Sequence, residues 1–151
     1  MMNCFRITKY NPAFRNANGS YNRNEWTSYH DIGEFFTDGL LTKEEYQLWE
    51  NRYLDVICHL AKEYHIDYFI PLRKENIPTI PSGLSLPETL NLARRILREE
   101  CWCILHHPKL EISFGYDYYM YIRCENISNA LLEKIRIIGL YAEKGYYPSY
   151  V

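Results

Sequence analysis

The sequence predicts an α+β fold, in which an antiparallel sheet with a C-terminal three-stranded meander packs against about three helices. Residues 101–124 predict the meander, because three short apolar runs are separated there by turn residues at 107–109 and 115–117. Pro, Gly and Asp supply the backbone angles and local hydrogen bonds that tight turns need. Amphipathic segments that begin with capping residues, or end in glycine, predict the helices.

Side-chain alternation divides the meander into two faces. We expect Leu105 to lie opposite Leu110 across the first turn, and Phe114 is expected opposite Tyr118 across the second. The first face then consists of Cys101, Cys103, Leu105, Leu110, Ile112, Phe114, Tyr118, Met120, Ile122 and Cys124. The second consists of Trp102, Ile104, His106, Glu111, Ser113, Tyr119, Tyr121 and Arg123. The apolar first face is predicted to be core.

The elements before the meander follow in order. A first strand is predicted over residues 4–10, a short flap around Asn18 and Gly19, and a single helical turn over residues 34–36. Thr42 and Glu45 form a capping box at the start of a long helix. Its apolar stripe consists of Tyr46, Trp49, Tyr53, Val56, Ile57, Leu60 and Tyr64. We interpret that stripe as core packing.

The remaining elements are an extended segment, two helices and a last strand. Residues 66–72 are predicted to be extended, and a proline-rich connection follows. Ser85 and Glu88 form a second capping box, which predicts a helix from Leu86 to about residue 98. A third helix is predicted over residues 127–138, ended by Gly139, with a short strand over 140–142. The aromatic C-terminal segment 145–151 is expected to pack against the rest.

Length and charge set the broad class of the protein. With 151 residues, of which 47% are hydrophobic, the chain can bury roughly 70% of its unfolded surface, so a single domain over residues 1–151 is predicted. The net charge of -2 argues against nucleic acid as a partner, because such proteins carry a basic excess or stripe.

Cysteine usage and hydropathy predict a cytoplasmic protein. The five cysteines are odd in number and scattered, which suits a reducing compartment better than a disulfide framework. Arg6 and Lys9 interrupt the apolar start, so no signal peptide is expected. No run of about eighteen apolar residues occurs, so no membrane association is expected.

The cysteines and histidines of the meander are the most evident candidate metal ligands. Zinc uses these residue types, and the set comprises Cys101, Cys103, His106, His107 and Cys124. Alternation separates the cysteines from His106, and the spacings are not those of structural zinc sites. We therefore predict no metal and no cofactor, and interpret the cysteines as buried and reduced.

No residue is predicted to be catalytic. Cys58 and His59 are neighbours on a helix and point about 100° apart, so they do not face each other. His30 with Asp31, and His65 with Asp67, are pairs that can orient an imidazole, but such pairs are common on protein surfaces. Phosphate-binding glycine loops are absent from the sequence.

Aromatic residues favour a recognition function. Tyrosine occurs fifteen times, and it supplies contact area with a polar tip at low entropic cost. The predicted partner-binding residues on the second face are Trp102, His106, Glu111, Tyr119, Tyr121 and Arg123. A second patch is predicted at Trp26, Tyr29 and Asp31. The alternative is that helices cover both faces and these rings belong to the core.

Three stretches resemble small bacterial cytoplasmic proteins. They are FRITKYNP at residues 5–12, EWTSYHDIG at 25–33 and FGYDYYMYI at 114–122. Proteins of this size and composition include immunity partners of secreted toxin domains, as in contact-dependent growth inhibition. The resemblance covers about half the chain and implies a compact α+β protein that binds and blocks a cognate toxin. It carries over no catalytic residue.

Three functions therefore remain open at the level of sequence. The first is a non-catalytic immunity protein whose partner is a cognate toxin. The second is a small enzyme or ligand-binding protein with a pocket near His30 and Asp31, beside the loop at residues 11–38. The third is an accessory subunit of a larger complex, and the oligomeric state is not predicted. If Trp102, Tyr119 and Tyr121 lie flat on an open face, a macromolecular partner is favoured. If they line a concave pocket with His30 or Asp31, the enzyme is favoured.

Overall fold

The computed structural model describes residues 2–146. Within them the chain forms a seven-stranded sheet, a two-stranded hairpin and three α-helices, which confirms the α+β class. The large sheet comprises β1 (Asn3–Thr8), β4 (Tyr68–Leu72), β5 (Leu84–Ser85), β6 (Ile104–His107), β7 (Leu110–Phe114), β8 (Met120–Cys124) and β9 (Tyr141–Lys144). The hairpin comprises β2 (Phe35–Phe36) and β3 (Gly39–Leu40). The helices are α1 (Lys43–Glu63), α2 (Leu86–Leu97) and α3 (Asn129–Ile138).

The large sheet is antiparallel, with strand order β5-β4-β6-β7-β8-β1-β9. The predicted meander is confirmed as β6-β7-β8. Its register differs from the prediction by two residues, since Leu105 pairs with Ile112 and Phe114 pairs with Met120. Because side chains alternate with a period of two, this shift leaves every side chain on its predicted face.

The first face of the meander is the core, as predicted. Its side chains are buried apart from Cys101, which is half-buried. They share one apolar cluster with Ile57 of α1, Ala93 of α2 and Ile135 of α3. Ile104, on the second face, is buried outside that cluster. The described helices therefore cover one face of the sheet, and other segments cover parts of the second face.

The helix boundaries follow from their caps. The Thr42 hydroxyl accepts from the Glu45 backbone N–H, and Ser85 with Glu88 makes the reciprocal capping box that the sequence predicts. Ser128 caps α3, so this helix begins at Asn129 rather than at the predicted residue 127. Gly139 ends α3 in the left-handed conformation, with φ 107°. The described helices include none with the length and apolar character to cross a membrane.

The segment before α1 departs from the prediction. Residues 34–36 were expected to form a helical turn, which is wrong, because β2 pairs with β3 around a turn at Thr37 and Asp38. The helical turn occurs earlier, as a 3-10 turn over Tyr29–Asp31 that Ser28 caps. The flap is confirmed, with a bridge between Arg15 and Tyr21. Within the C-terminal segment expected to pack, residues 147–151 lie outside the described part of the chain.

One buried carboxylate connects α1 to α2. The Glu50 side chain is 1% exposed and accepts from both Arg94 and Arg98. The Nε–carboxylate distances are 3.1 Å for Arg94 and 2.8 Å for Arg98. Removing the carboxylate is costly, because two guanidinium groups, 37% and 22% exposed, lose their charged acceptor.

We expect Glu50→Gln to lower the free energy of unfolding by about 3 kcal/mol, since two cations lose their shared partner. For a chain of this length that corresponds to a fall of roughly 6 to 12 °C in the thermal midpoint. Thermal unfolding followed by circular dichroism measures it. Glu133→Gln, which removes the exposed pair with Arg136 on α3, is the control and is expected to leave the midpoint unchanged. Equal shifts of the thermal midpoint in both variants would contradict the larger contribution of the buried Glu50 to stability.

Candidate protein-binding surface

Tyr119 and Tyr121 of the second face are half-buried, and their rings contact each other edge-on with ring centres 6.3 Å apart. Arg15, from the flap, donates to the Tyr119 hydroxyl at 3.0 Å. The Arg6 guanidinium lies 4.9 Å from the centre of the Tyr119 ring and 3.7 Å from that of Tyr146. These tyrosines therefore form part of a closed cluster and are not an open docking face.

A carboxylate on the edge strand holds this cluster together. Glu143 of β9 accepts from Nε and Nη2 of Arg6 at 3.1 to 3.2 Å, and Arg15 Nη2 lies 3.6 Å from it. All three side chains are nearly buried. The two arginines share one carboxylate, so the flap is attached to the sheet by an ion-pair network.

His106, Glu111 and Arg123 form a polar row on the open part of the second face. They are direct cross-strand neighbours on β6, β7 and β8. His106 Nδ1 lies 3.1 Å from a Glu111 carboxylate oxygen. Both are half-buried, and Arg123 is exposed. The row thus consists of one His106–Glu111 pair and the exposed Arg123, without an apolar centre.

Trp102 lies at a cleft at one end of the sheet. The ring is 38% exposed, and its indole N–H donates to the Phe114 carbonyl at 3.3 Å. The cleft has a volume of about 830 Å³ and is lined by Lys74, Ile96, Glu99, Cys101, Trp102, Phe114, Gly115 and Tyr116. A second cleft of about 460 Å³ shares Cys101 and Trp102 and continues along α2 past Ile80. Trp102 is therefore a fixed aromatic ring at the wall common to two clefts.

The second predicted patch is mostly structural. Trp26 is 6% exposed and packs against the rings of Tyr46 and Tyr118, so the expectation of an exposed Trp26 is corrected. Tyr29 is half-buried with its ring edge-on to Tyr46. Asp31 accepts from the Thr27 backbone N–H at 2.9 Å. These residues hold the segment before the hairpin in place, because its aromatic rings pack against rings of the core.

Glu99 connects this segment to the cleft, a role that the sequence did not reveal. The Ser28 hydroxyl donates to the Glu99 carboxylate at 2.9 Å, and His30 Nε2 lies 3.3 Å from the same oxygen. Glu99 also lines the larger cleft. Local sequence pattern could not reveal this role, because Ser28 and His30 are 71 and 69 positions away along the chain.

The backbone of Glu99 is in the left-handed region, with φ 62°. Its N–H donates to Ile96 O and that of Glu100 to Arg95 O, which is the Schellman ending of a helix. Glycine is preferred at this position, and other residues there cost on the order of 1 kcal/mol. The conformation places the Glu99 carboxylate at the cleft.

Tyrosine hydroxyls fix the β7–β8 turn, which forms another wall of the cleft. Asp117 and Tyr118 both have positive φ, 60° and 64°. The Tyr53 hydroxyl, from α1, donates to Tyr118 O at 2.9 Å, and the Tyr10 hydroxyl lies 2.8 Å from Asp117 O. Burial raises the pKa of both tyrosines well above the usual range, so their hydroxyls remain donors.

Lys9 is a buried cation beneath the same end of the sheet. Its ammonium lies 3.3 Å from Glu25 and 4.3 Å from the ring centres of Tyr10 and Trp26. Burial lowers the pKa of Lys9 to about 8, and attraction to Glu25 opposes the shift in part. The negative charges of Glu45 and Asp31, like that of Glu25, raise the pKa of Lys9.

The cysteines are poor nucleophiles in this fold. Burial raises the pKa of Cys103 to about 12, and it also raises the pKa of Cys58 and Cys101. Within residues 2–146, no group of three or more His, Cys, Asp or Glu side chains is placed to hold a metal ion.

Comparison with known proteins does not assign this arrangement. No protein-family model, no curated protein and no solved structure shows a significant match to the chain. The function must therefore be inferred from the residues and their geometry.

Glu99→Gly is expected to raise the free energy of unfolding by about 1 kcal/mol, because glycine adopts the left-handed conformation without a Cβ clash. Urea unfolding measures the change. His65→Gly is the matched control, since His65 ends α1 in the same way with φ 54° and does not line the cleft. Both substitutions should stabilise the protein. A loss of stability in Glu99→Gly alone would show that the carboxylate contacts outweigh the strain.

Lys9 predicts a pH-dependent difference between the wild type and Lys9→Met. Between pH 8 and its usual pKa of 10.5, the unfolded chain holds a proton that the folded protein has released, so wild-type stability rises with pH relative to the variant. The slope is at most about 1.4 kcal/mol per pH unit. Urea unfolding of both proteins at several pH values measures it, and titrations of tyrosine and cysteine cancel in the difference. A difference that does not change with pH would contradict the pKa of Lys9.

Proposed function

We propose that this chain is a non-catalytic immunity protein, which acts in the bacterial cytoplasm by binding and neutralising a cognate toxin domain. The observation that carries the proposal is the position of Trp102, a partly exposed ring at the wall common to two connected clefts. Tryptophan and tyrosine in such sites dominate the binding energy of many protein interfaces.

The surroundings of Trp102 support a protein partner. Tyr116, at the β7–β8 turn, is 84% exposed beside the larger cleft, and Ile80 is 40% exposed beside the smaller one. A rigid aromatic anchor between two grooves suits a protruding loop of a partner, because little side-chain entropy is lost on binding. The hydrogen bond from Trp102 to Phe114 O supplies that rigidity.

A second candidate function is the binding of a small molecule in the larger cleft. Its volume of about 830 Å³ falls within the range of ligand sites, and Glu99 with its contacts to Ser28 and His30 lies at its wall. The positions of the three predicted rings do not all favour the same one of these two functions. Trp102 lines this concave cleft, whereas Tyr119 and Tyr121 lie beneath the flap. We favour the protein partner because large exposed apolar side chains border both clefts.

The test is co-expression with the polypeptide encoded by the neighbouring open reading frame. We expect the wild-type chain to bind this polypeptide and to restore growth, and Trp102→Ala to weaken binding at least about tenfold, as for an interface hot spot. Calorimetry on a toxin variant without activity measures the affinity. Tyr68→Ala is the control, because Tyr68 is half exposed at the opposite end of β4.

Two outcomes would contradict the proposal. One is a neighbouring polypeptide that neither inhibits growth nor binds the chain. The other is equal binding by the wild type and by a folded Trp102→Ala variant. This result would show that the cleft is not part of the interface. Thermal unfolding of each variant establishes that it is folded.

A further inference from the structure

The β2–β3 hairpin displays an apolar pair. Phe35 and Leu40 are direct cross-strand partners and are 77% and 43% exposed. The alternation that turns them outward turns Phe36 inward, where it packs against the core. Leu41, which follows the hairpin, is buried. Exposed apolar side chains that lie side by side mark candidate interaction sites, and aromatic residues are enriched at the centres of protein interfaces.

Acidic side chains surround this pair. Glu34 precedes Phe35 and is exposed, and Asp38 occupies the turn with a side chain that is 70% exposed. A crevice of about 50 Å³ beside the hairpin is lined by Glu25, Asp38 and Glu45 together with apolar residues. The nearby Arg23 lies 3.4 Å from Asp38. Lys9 pairs with Glu25, so the four carboxylates are matched by two cations and the rim keeps a negative charge.

Three carboxylates of the protein engage more than their share of its cations. Glu50 and Glu143 each pair with two arginines, and Glu25 pairs with Lys9. These pairings use five of the seventeen cations and three of the nineteen carboxylates. Twelve cations and sixteen carboxylates are left, so the rest of the chain has a formal charge of -4, against -2 for the whole.

The hairpin and the Trp102 cleft lie at the same end of the sheet. Gly33 N–H donates to Leu41 O, which fixes the hairpin next to the start of α1. Tyr46, in the first turn of α1, contacts Tyr118 of the β7–β8 turn through their hydroxyls at 3.0 Å. That turn also forms a wall of the cleft. The hairpin and the cleft are therefore connected through the buried Tyr46–Tyr118 pair.

We propose that the hairpin binds a positively charged protein surface through Phe35 and Leu40, with Glu34 and Asp38 steering its approach. The inference rests on the proposed function, and it specifies the cognate toxin domain as basic where it meets the hairpin. Charge complementarity selects this occupant, because a second copy would bring the same carboxylates together and an anionic lipid surface would repel them.

The test measures association of the chain with an inactive form of the neighbouring polypeptide across a salt titration. Phe35→Ser is expected to weaken the affinity at least about tenfold, mainly through faster dissociation. Asp38→Asn is expected to slow association several-fold at low salt and to reduce its salt dependence. The controls are Ile137→Ser, a similarly exposed apolar residue on α3, and Glu125→Gln, which follows β8 at the opposite end of the sheet. Both should bind like the wild type.

The outcomes separate this inference from the proposed function. If Trp102→Ala weakens the complex and Phe35→Ser does not, the hairpin is outside the interface and only the present inference is overturned. If no complex forms, both are overturned. A dimer of the chain alone that Phe35→Ser dissociates would assign the hairpin to self-association and would also overturn the inference. Leu40→Ser provides a second variant if Phe35→Ser does not fold.

Discussion

The hydroxyl of Tyr53 is the contact on which the candidate surface depends. It accepts from the Lys9 backbone N–H at 2.8 Å and donates to Tyr118 O at 2.9 Å, in a fully buried position. A single side chain of α1 thus fixes the end of β1 and the β7–β8 turn relative to the helix. A buried backbone group without a hydrogen-bond partner costs free energy. Movement of either segment would break its bond to Tyr53, so this position of both segments is favoured. The clefts and the hairpin are built around the end of the sheet that it fixes.

This role changes the interpretation of the tyrosine content. Fifteen tyrosines favoured a recognition surface when only the sequence was considered, but Tyr10, Tyr46, Tyr53 and Tyr118 are buried and bond backbone or one another. Burial raises the pKa of each one, so these hydroxyls stay protonated and keep donating. These tyrosines therefore hold loop and turn backbone in position. Few of the aromatic rings lie at the candidate interface.

The sequence predicted the features that depend on local pattern. Alternation placed Ile112 and Ile122 in the core even though the predicted register was shifted, because a shift of two preserves the faces. The Ser85 capping box was also local and was confirmed. Trp26 and Glu99 were missed because they depend on distant partners. The β2–β3 hairpin is local, and its Asp38–Gly39 pair is a hairpin-turn signal that the predicted helical turn left unused. Trp26 is buried by rings from α1 and the β7–β8 turn, and Glu99 contacts a segment about seventy residues earlier in the chain.

Contacts between distant residues also determine how charge is distributed in this chain of low net charge. Carboxylates that are buried must be matched by cations, and here Glu50 and Glu143 each engage two arginines that also stabilise the packing of helix and flap. Each of these clusters keeps a net charge of +1, whereas Asp38 near Phe35 has one cation, Arg23, beside it. The polarity of a surface depends on which charges the fold brings together, so it cannot be read from the composition alone.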